Sequence, residues 1–297
     1  MKPTTLSFVV TYVTLALTTA CGPAEPAGSG QPEMTAAPEQ GMSGPRVASA
    51  PTAGGELPPA IVGEGGDLQG VALQYVDGDT LTTGYLAVPE GAGPFPALVI
   101  IHEWNGLSDR VRQMADDFAA EGYVTLAADL FDGRMGTTPE ENRALTAGVN
   151  GDPEKMIANL DAAVAYLRSR SDVTGKVGAM GWCFGGGVAL SFGLDGEHHE
   201  ATAIFYGRLL DDPEVLAGLD HEVYGTFARL DQGIPPEQVE DFEEALRAAG
   251  IPNDLHVYDE VGHGFWLRVD QDAEGRTAPA LDAWERLKDY LERTLGG

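Results

Sequence analysis

The feature that most constrains the fold is the heptapeptide Gly-Trp-Cys-Phe-Gly-Gly-Gly at residues 181–187. A short apolar run at residues 177–180 precedes it, and small residues compatible with a helix follow it at 188–193. This order predicts a strand, a sharp turn and a helix, with a cysteine at the turn. The G-x-C-x-G spacing is the cysteine version of the nucleophile elbow, in which glycines leave room where strand and helix crowd together.

Cys183 therefore stands where an elbow presents its nucleophile. The helix predicted after it would point its N-terminus at the sulfur, and the helix dipole favours a thiolate there. The same pattern also fits a structural turn over a buried, inert cysteine. The motif alone leaves both interpretations open, so the rest of the sequence has to decide between them.

The first 21 residues have the pattern of an export signal. Lys2 supplies a positive start, and the apolar stretch 6–17 is too short and too rich in threonine for a membrane span. Small residues before Cys21 are typical of a bacterial lipoprotein signal, although Thr18 stands where such signals usually carry leucine. We expect an exported, periplasmic or cell-surface lipoprotein anchored through lipid on Cys21. The alternative is an ordinary cleavable signal in which Cys21 has no role.

Composition separates a linker from a folded domain. Residues 22–60 are mainly Gly, Pro, Ala, Ser and Thr without periodicity, which predicts a disordered tether ahead of one domain at 61–297. The net charge is −28, with 46 acidic and 18 basic residues. We expect neither nucleic acids nor anionic membrane surfaces as partners, because both require a basic face. Membrane contact is expected only through the lipid anchor on Cys21.

Two kinds of segment alternate through the predicted domain. Continuous apolar runs, typical of buried strands, lie at residues 96–102, 123–128, 177–180, 201–205, 223–228 and 255–258. Amphipathic helices are predicted between them, with Ser108 and Asp152 as two of the N-caps. Residues 71–76 and 81–88 predict an antiparallel hairpin. The alternation indicates an α/β fold with a mostly parallel sheet, helices on both faces and ligands beyond the carboxyl ends of the strands.

Two further polar residues follow predicted strands. Asp231 lies in the loop after strand 223–228, and His263 lies in the loop after strand 255–258. With Cys183 they give the order nucleophile, acid, histidine that is typical of α/β-hydrolases. His263 would take the thiol proton and later protonate the leaving group, while Asp231 would hold the imidazole tautomer. Each residue alone could be an ordinary loop residue, but three at three strand ends favour a catalytic triad.

Several short motifs also match one known family. They are His102-Glu103-Trp104-Asn105-Gly106, Ala128-Asp129-Leu130-Phe131, the elbow, Phe205-Tyr206-Gly207, the Asp231 loop and Gly262-His263-Gly264-Phe265. On these motifs the chain from about residue 66 onward resembles the dienelactone hydrolases (carboxymethylenebutenolidases) of the α/β-hydrolase fold. The resemblance implies a Cys-His-Asp triad that hydrolyses lactones or small activated esters through an acyl-enzyme, without cofactor or metal. We expect the protein to be a monomer.

The resemblance also implies roles for residues around the triad. Glu103 would contact the resting Cys183 thiol, although it could instead be a carboxylate at a helix start. The backbone N–H groups of Phe184 and Trp104 would form an oxyanion hole.

Substrate binding is implied for three more residues, namely Tyr206, Arg134 and Arg268. Each arginine stands one position away from the expected pattern, so the substrate stays open, and both could be exposed loop residues.

Three alternatives remain outside this scheme. Glu197-His198-His199-Glu200 could suggest a metal site, but no other ligand cluster accompanies it in the sequence, so a histidine-rich surface turn and no metal are predicted. In place of a lactone or ester hydrolase, the chain could be a broader carboxylesterase or thioesterase. It could also be a non-catalytic surface lipoprotein that retains the fold.

Overall fold

The computed structural model describes residues 46–47 and 55–296. The predicted signal 1–21, the lipidation candidate Cys21 and most of the predicted tether lie outside the described residues. Of the helices that are described, none is both long enough and apolar enough to cross a membrane.

A mixed, mostly parallel sheet organises the described residues. Its strands are β1 Arg46–Val47, β2 Val71–Leu73, β3 Gly84–Ala87, β4 Phe95–Ile101, β5 Val124–Ala128, β6 Val173–Trp182, β7 Ala201–Phe205, β8 Val223–Ala228 and β9 Asn253–Tyr258. Their spatial order is β1-β9-β8-β7-β6-β4-β5-β3-β2. Strand β3 is antiparallel to β2 and β5, and the other pairs are parallel. The hairpin and the mostly parallel sheet predicted from the sequence are confirmed.

Helices cover both faces of this sheet. They are α1 Asp109–Ala120, α2 Pro139–Asn150, α3 Pro153–Ser169, α4 Phe184–Asp195, α5 Pro213–Leu216, α6 Pro236–Ala249 and α7 Ala273–Leu295. Alternate residues of β4 point to opposite faces, so Leu98 and Ile100 pack with α1 and α7, while Ala97 and Val99 pack with α3 and α4. Each face therefore buries its own apolar core.

The helix starts follow their capping residues. Ser108 accepts a hydrogen bond from the backbone of Val111, and Asp152 accepts one from the backbone of Lys155, as predicted for these N-caps. Helix α2 was not predicted, although Thr138 caps it and forms a reciprocal capping box with Glu141. Only one of its described residues is buried, so the helix shows no apolar stripe to detect.

The boundary of the predicted tether has to be corrected. Residues 46–47 form β1 and pair in parallel with β9. Leu57 and Ala60 are buried in the core shared with α1 and α7, and the carbonyl of Ile61 accepts a hydrogen bond from Val269. Packing thus begins before residue 61. Composition could not predict this, because two apolar side chains do not stand out in a stretch rich in Gly and Pro.

Candidate active site

The elbow forms as its sequence predicts. Strand β6 ends at Trp182, Cys183 has φ 55° and ψ −115°, and α4 begins at the next residue. A positive φ is strained for a residue with a side chain and persists only where the surroundings enforce it. Here the Cys183 N–H donates to the carbonyl of Phe205 at 2.9 Å. A side chain at Gly185 would overlap the backbone carbonyls of Ile101 and His102, so the turn requires glycine there.

His263 and Asp231 are brought together beside Cys183. His263 Nδ1 lies 2.6 Å from Asp231 Oδ2. The other carboxylate oxygen of Asp231 accepts hydrogen bonds from the backbone N–H groups of Gly233 and Ile234 at 2.8 and 3.2 Å. The Asp231 side chain is only 1% exposed, whereas that of His263 is 42% exposed. A buried acid thus orients an imidazole that remains open to the cavity.

The pKa values of this pair are shifted in opposite directions. Burial alone would lower the pKa of His263, but the hydrogen bond to Asp231 and the interaction with Cys183, with their charges, raise it to about 10. Burial would raise the pKa of Asp231, but the bonds to His263, Gly233 and Ile234 hold it below its usual value. The arrangement therefore favours a positive imidazole between two groups that can carry negative charge.

Glu103 and Arg268 form a second charged pair in the same site. Arg268 Nη1 donates to Glu103 Oε1 at 3.0 Å, and Nη2 donates to Oε2. The Glu103 side chain is almost fully buried. Burial would lower the pKa of Arg268, but attraction to Glu103 raises it.

This pairing differs from two expectations. The Glu103 carboxylate bonds to Arg268 rather than to the Cys183 thiol. Arg268, expected to be available to a substrate carboxylate, is neutralised by Glu103. The sequence places these residues 165 positions apart and gives no indication that their side chains meet.

A cavity of about 350 Å³ joins these groups. Its lining consists of Glu103, Trp104, Cys183, His263, Gly264, Arg268, Gln271 and Arg276. It lies at the carboxyl ends of the strands, where the sequence predicts ligands to bind.

Two residues that line this cavity, Gln271 and Arg276, were not predicted. The Arg276 guanidinium donates to the backbone carbonyl of Arg268 at 2.9 Å. Asp272 caps the start of α7, four positions before Arg276. This cap was a detectable signal for a helix start near the site, but it does not indicate the direction of either side chain.

The structure does not bring Arg134 into the cavity. Its side chain is 64% exposed, lies 3.6 Å from Asp132, and donates through Nε to the carbonyl of Phe131. It lines a separate cavity of about 220 Å³ together with Lys155.

Tyr206, the other expected substrate-binding residue, is buried beneath the site. Its ring packs edge-on against His263 at 5.1 Å, and its hydroxyl accepts a hydrogen bond from the backbone of Leu267. Tyr206 therefore supports the imidazole from below, and Arg268 is the one expected substrate-binding residue that lines the cavity.

The histidine-rich turn lies at the opposite ends of the strands. His198 Nδ1 is 2.7 Å from Asp220, while His199 Nε2 and His221 Nε2 both lie within 3.0 Å of the Thr202 hydroxyl. Among the described residues, no group of three or more His, Cys, Asp or Glu side chains could hold a metal ion. Burial, followed by the charge on His221, lowers the pKa of His199 to about 4.

The fold and the site are those of an α/β-hydrolase. The sheet is mostly parallel, the elbow follows β6, and the acid and the histidine follow β8 and β9. Residues 82–295 match the Dienelactone hydrolase family, and the chain belongs to this family. It is a dienelactone hydrolase-like hydrolase.

One curated relative agrees with the family, and two solved structures agree with the fold. A protein of Methylorubrum extorquens named "Putative carboxymethylenebutenolidase" is 31% identical over 228 residues, covering 72% of this chain and 78% of its own. A solved "dienelactone hydrolase-like promiscuous" phosphotriesterase from metagenomic libraries superposes with a TM-score of 0.68 at 22% identity, covering 77% of this chain and 99% of that one. An acylaminoacyl peptidase of Pyrococcus horikoshii shares the fold with a TM-score of 0.61 at 12% identity, covering 77% of this chain and 42% of that one.

Proposed function

We propose that the protein hydrolyses lactones or small activated esters with Cys183 as the nucleophile. The observation that carries this proposal is the position of His263. Its imidazole is hydrogen-bonded to buried Asp231 on one side, interacts with Cys183 on the other, and opens into the same cavity as the sulfur. A nucleophile, a base and a group that orients the base are the parts that acyl transfer requires.

The first half of the reaction forms an acyl-enzyme. His263 Nε2 holds the thiol proton, because the raised pKa of His263 favours the imidazolium and Nδ1 is committed to Asp231. The Cys183 sulfur then attacks the carbonyl carbon, and the carbonyl oxygen becomes an oxyanion held by the N–H groups of Phe184 and Trp104. Collapse of this intermediate breaks the bond to the ester oxygen. The imidazolium gives its proton to that oxygen, which leaves a thioester on Cys183.

The second half of the reaction releases the acid. Neutral His263 removes a proton from water, and the resulting hydroxide attacks the thioester carbonyl. The carbon–sulfur bond breaks, the sulfur leaves with the bonding electron pair and faces the His263 imidazolium again, and the carboxylic acid departs. Both steps use groups on the chain itself.

The cavity charges bear on the choice of substrate. Arg268 is engaged by Glu103, and the Arg134 side chain lies outside the cavity. A substrate carboxylate could pair with Arg268 only by separating it from Glu103. These observations favour a second candidate, a broader carboxylesterase or thioesterase that acts on uncharged acyl groups.

A substrate panel distinguishes these functions. We expect wild-type protein to hydrolyse small chromogenic esters and unsubstituted lactones, and Cys183→Ala to lose this activity by orders of magnitude with little change in thermal unfolding. To separate the first candidate from the second, the rate of hydrolysis of a lactone that carries a carboxylate is compared with the rate for its methyl ester. An inactive wild-type protein across the panel would favour the non-catalytic lipoprotein.

We also propose that the protein is exported and anchored through lipid on Cys21. The support is the order of a positive start, a short apolar stretch and small residues before Cys21. The monomeric state remains a prediction.

A further inference from the structure

His102 is a buried histidine that the mechanism above does not use. It follows β4 directly, and its side chain is inaccessible to solvent. The backbone N–H of Leu130 donates to its Nε2 at 3.2 Å, and its Nδ1 lies 2.7 Å from the carbonyl oxygen of Glu103. Since an N–H can only donate, Nε2 must be an acceptor, and the ring proton is on Nδ1. His102 is therefore a neutral ring that donates from Nδ1 to the Glu103 carbonyl.

Burial supports this neutral state. It lowers the pKa of His102 below the usual value, and the hydrogen bond to the Glu103 carbonyl opposes that effect only in part. In the other tautomer, the lone pair of Nδ1 would face the lone pairs of the Glu103 carbonyl oxygen. The Nε2–H would also face the Leu130 N–H, so that two donors would meet. The two partners thus select one tautomer.

The bond to the Glu103 carbonyl has a consequence for Trp104. The Glu103 C=O and the Trp104 N–H belong to one peptide unit, and a trans peptide holds these groups in one plane on opposite sides. The Glu103 oxygen also accepts a hydrogen bond from the Gly106 N–H at 3.1 Å. With its oxygen held by two donors, the peptide cannot rotate freely, so the direction of the Trp104 N–H is fixed.

The ring of His102 also contacts the elbow. It lies face to face with Phe184, with ring centroids 6.2 Å apart and planes inclined by 28°, and edge-on to Phe131 at 4.6 Å. Phe184 is the other proposed oxyanion donor. A single buried ring therefore touches both segments that would form the oxyanion hole.

We propose that His102 is a positioning residue that holds the Glu103–Trp104 peptide so that the Trp104 N–H stabilises the oxyanion. It acts through this peptide and does not touch the substrate. The inference rests on the proposed function, since it assigns the oxyanion hole of the same reaction.

Two substitutions separate the two hydrogen bonds of the ring. His102→Asn places an amide nitrogen near the position of Nδ1, so it can still donate to the Glu103 carbonyl. His102→Gln places its amide near Nε2, so it can satisfy Leu130 but loses the donor to Glu103. Both variants remove the ring and should lose similar thermal stability.

Two reactions of Cys183 provide the measurement. Acylation by a chromogenic ester develops an oxyanion, whereas alkylation by iodoacetamide displaces iodide at a saturated carbon and develops none. Loss of one oxyanion donor costs about 100- to 1000-fold in rate. We expect His102→Gln to acylate about 100-fold more slowly than wild type, and His102→Asn to stay within about 10-fold. Both variants should alkylate within about 3-fold of wild type.

Equal loss of acylation in the two variants would overturn the inference, as would a parallel loss of alkylation, because either result means that the ring only supports the fold. The tautomer can be measured in wild-type protein by nitrogen-15 NMR even if the variants do not fold. A proton on Nε2 of His102 would also overturn the inference. Full activity in Cys183→Ala would instead show that the proposed function itself is wrong.

Discussion

Arg268 donates two hydrogen bonds to Glu103, from Nη1 to Oε1 and from Nη2 to Oε2, in the cavity that contains Cys183. A free carboxylate beside a thiol disfavours the thiolate, because two negative charges would lie close together. Arg268 removes most of that repulsion. The reactivity of Cys183 should therefore depend on whether the ion pair between Arg268 and Glu103 is formed.

Removing Arg268 should make the thiol less reactive. Arg268→Gln leaves the buried Glu103 carboxylate without its partner, and we expect alkylation near neutral pH to slow about 10-fold. The unpaired carboxylate should also reduce the free energy of unfolding by about 1–3 kcal/mol. The pH dependence of alkylation by iodoacetamide measures the first effect.

Two variants serve as controls for this prediction. Arg134→Gln removes an exposed arginine outside the cavity and should leave alkylation unchanged. Glu103→Gln removes the carboxylate and should speed alkylation, because Arg268 then acts on the sulfur without a counter-charge. If Arg268→Gln alkylates as fast as wild type, the ion pair does not control the thiol.

The Asp231 side chain should control the protonation of His263. In wild type, the hydrogen bond to Asp231, the interaction with Cys183 and the charges of both groups outweigh burial and raise the His263 pKa to about 10. Stability from this shift is fully present below the unfolded pKa of about 6.5 and is lost as pH rises through about 10. Asp231→Asn should lower the His263 pKa toward 6.5 or below and reduce kcat at least about 100-fold.

Imidazole titration by NMR measures the His263 pKa in both proteins. Asp132→Asn is the control, since that carboxylate pairs with Lys155 and Arg134 away from the cavity. An unchanged His263 pKa in Asp231→Asn would contradict the assignment of Asp231.

At the other ends of the strands, His199 should make the fold sensitive to acid. Its pKa is lowered to about 4 by burial and then by the charge on His221. Because the unfolded chain binds a proton here at about pH 6.5 and the folded chain does not, stability is present above pH 6.5 and lost as pH falls through about 4. The loss attributable to His199 is about 3 kcal/mol. Urea unfolding between pH 4 and 7 measures it.

His199→Phe should flatten this pH dependence, since the new ring can still stack on Phe192 and cannot be protonated. His198→Gln, which changes an exposed neighbour, should retain it. A slope that is the same in His199→Phe and wild type would place the acid sensitivity elsewhere.

The proposed anchor predicts where the protein is found. When the full chain is expressed in a bacterium, we expect it to partition into the detergent phase, and Cys21→Ala to move it to the soluble fraction. A lipoprotein carries several acyl chains, which together anchor far more firmly than one. Soluble wild-type protein without an acyl mass on Cys21 would contradict the proposal.

The sequence predicts the position of the site better than its internal contacts. Strands β7 and β8 coincide with their predicted ranges, because continuous apolar runs between polar loops have few other structures available. Once the parallel sheet is known, Cys183, Asp231 and His263 all lie at its carboxyl edge. The pattern of apolar strands and the topology of the sheet are enough to predict where the site lies.

Side-chain direction in long loops cannot be inferred in the same way. Arg134 and Arg268 have equivalent status in the sequence, yet Arg134 turns to Asp132 and Arg268 turns to Glu103. Each choice depends on packing between segments far apart in the chain. The role of His102 was hidden for a similar reason, since its Leu130 partner lies 28 residues away.

In the proposed reaction, Cys183 carries the acyl group. The most direct measurement is mass spectrometry of wild-type protein quenched within milliseconds of mixing with an activated ester. We expect one acyl mass per chain, located on the peptide that contains Cys183, absent in Cys183→Ala and disappearing at the rate of turnover. Hydrolysis without any acyl mass on that peptide, or undiminished hydrolysis by Cys183→Ala, would contradict it.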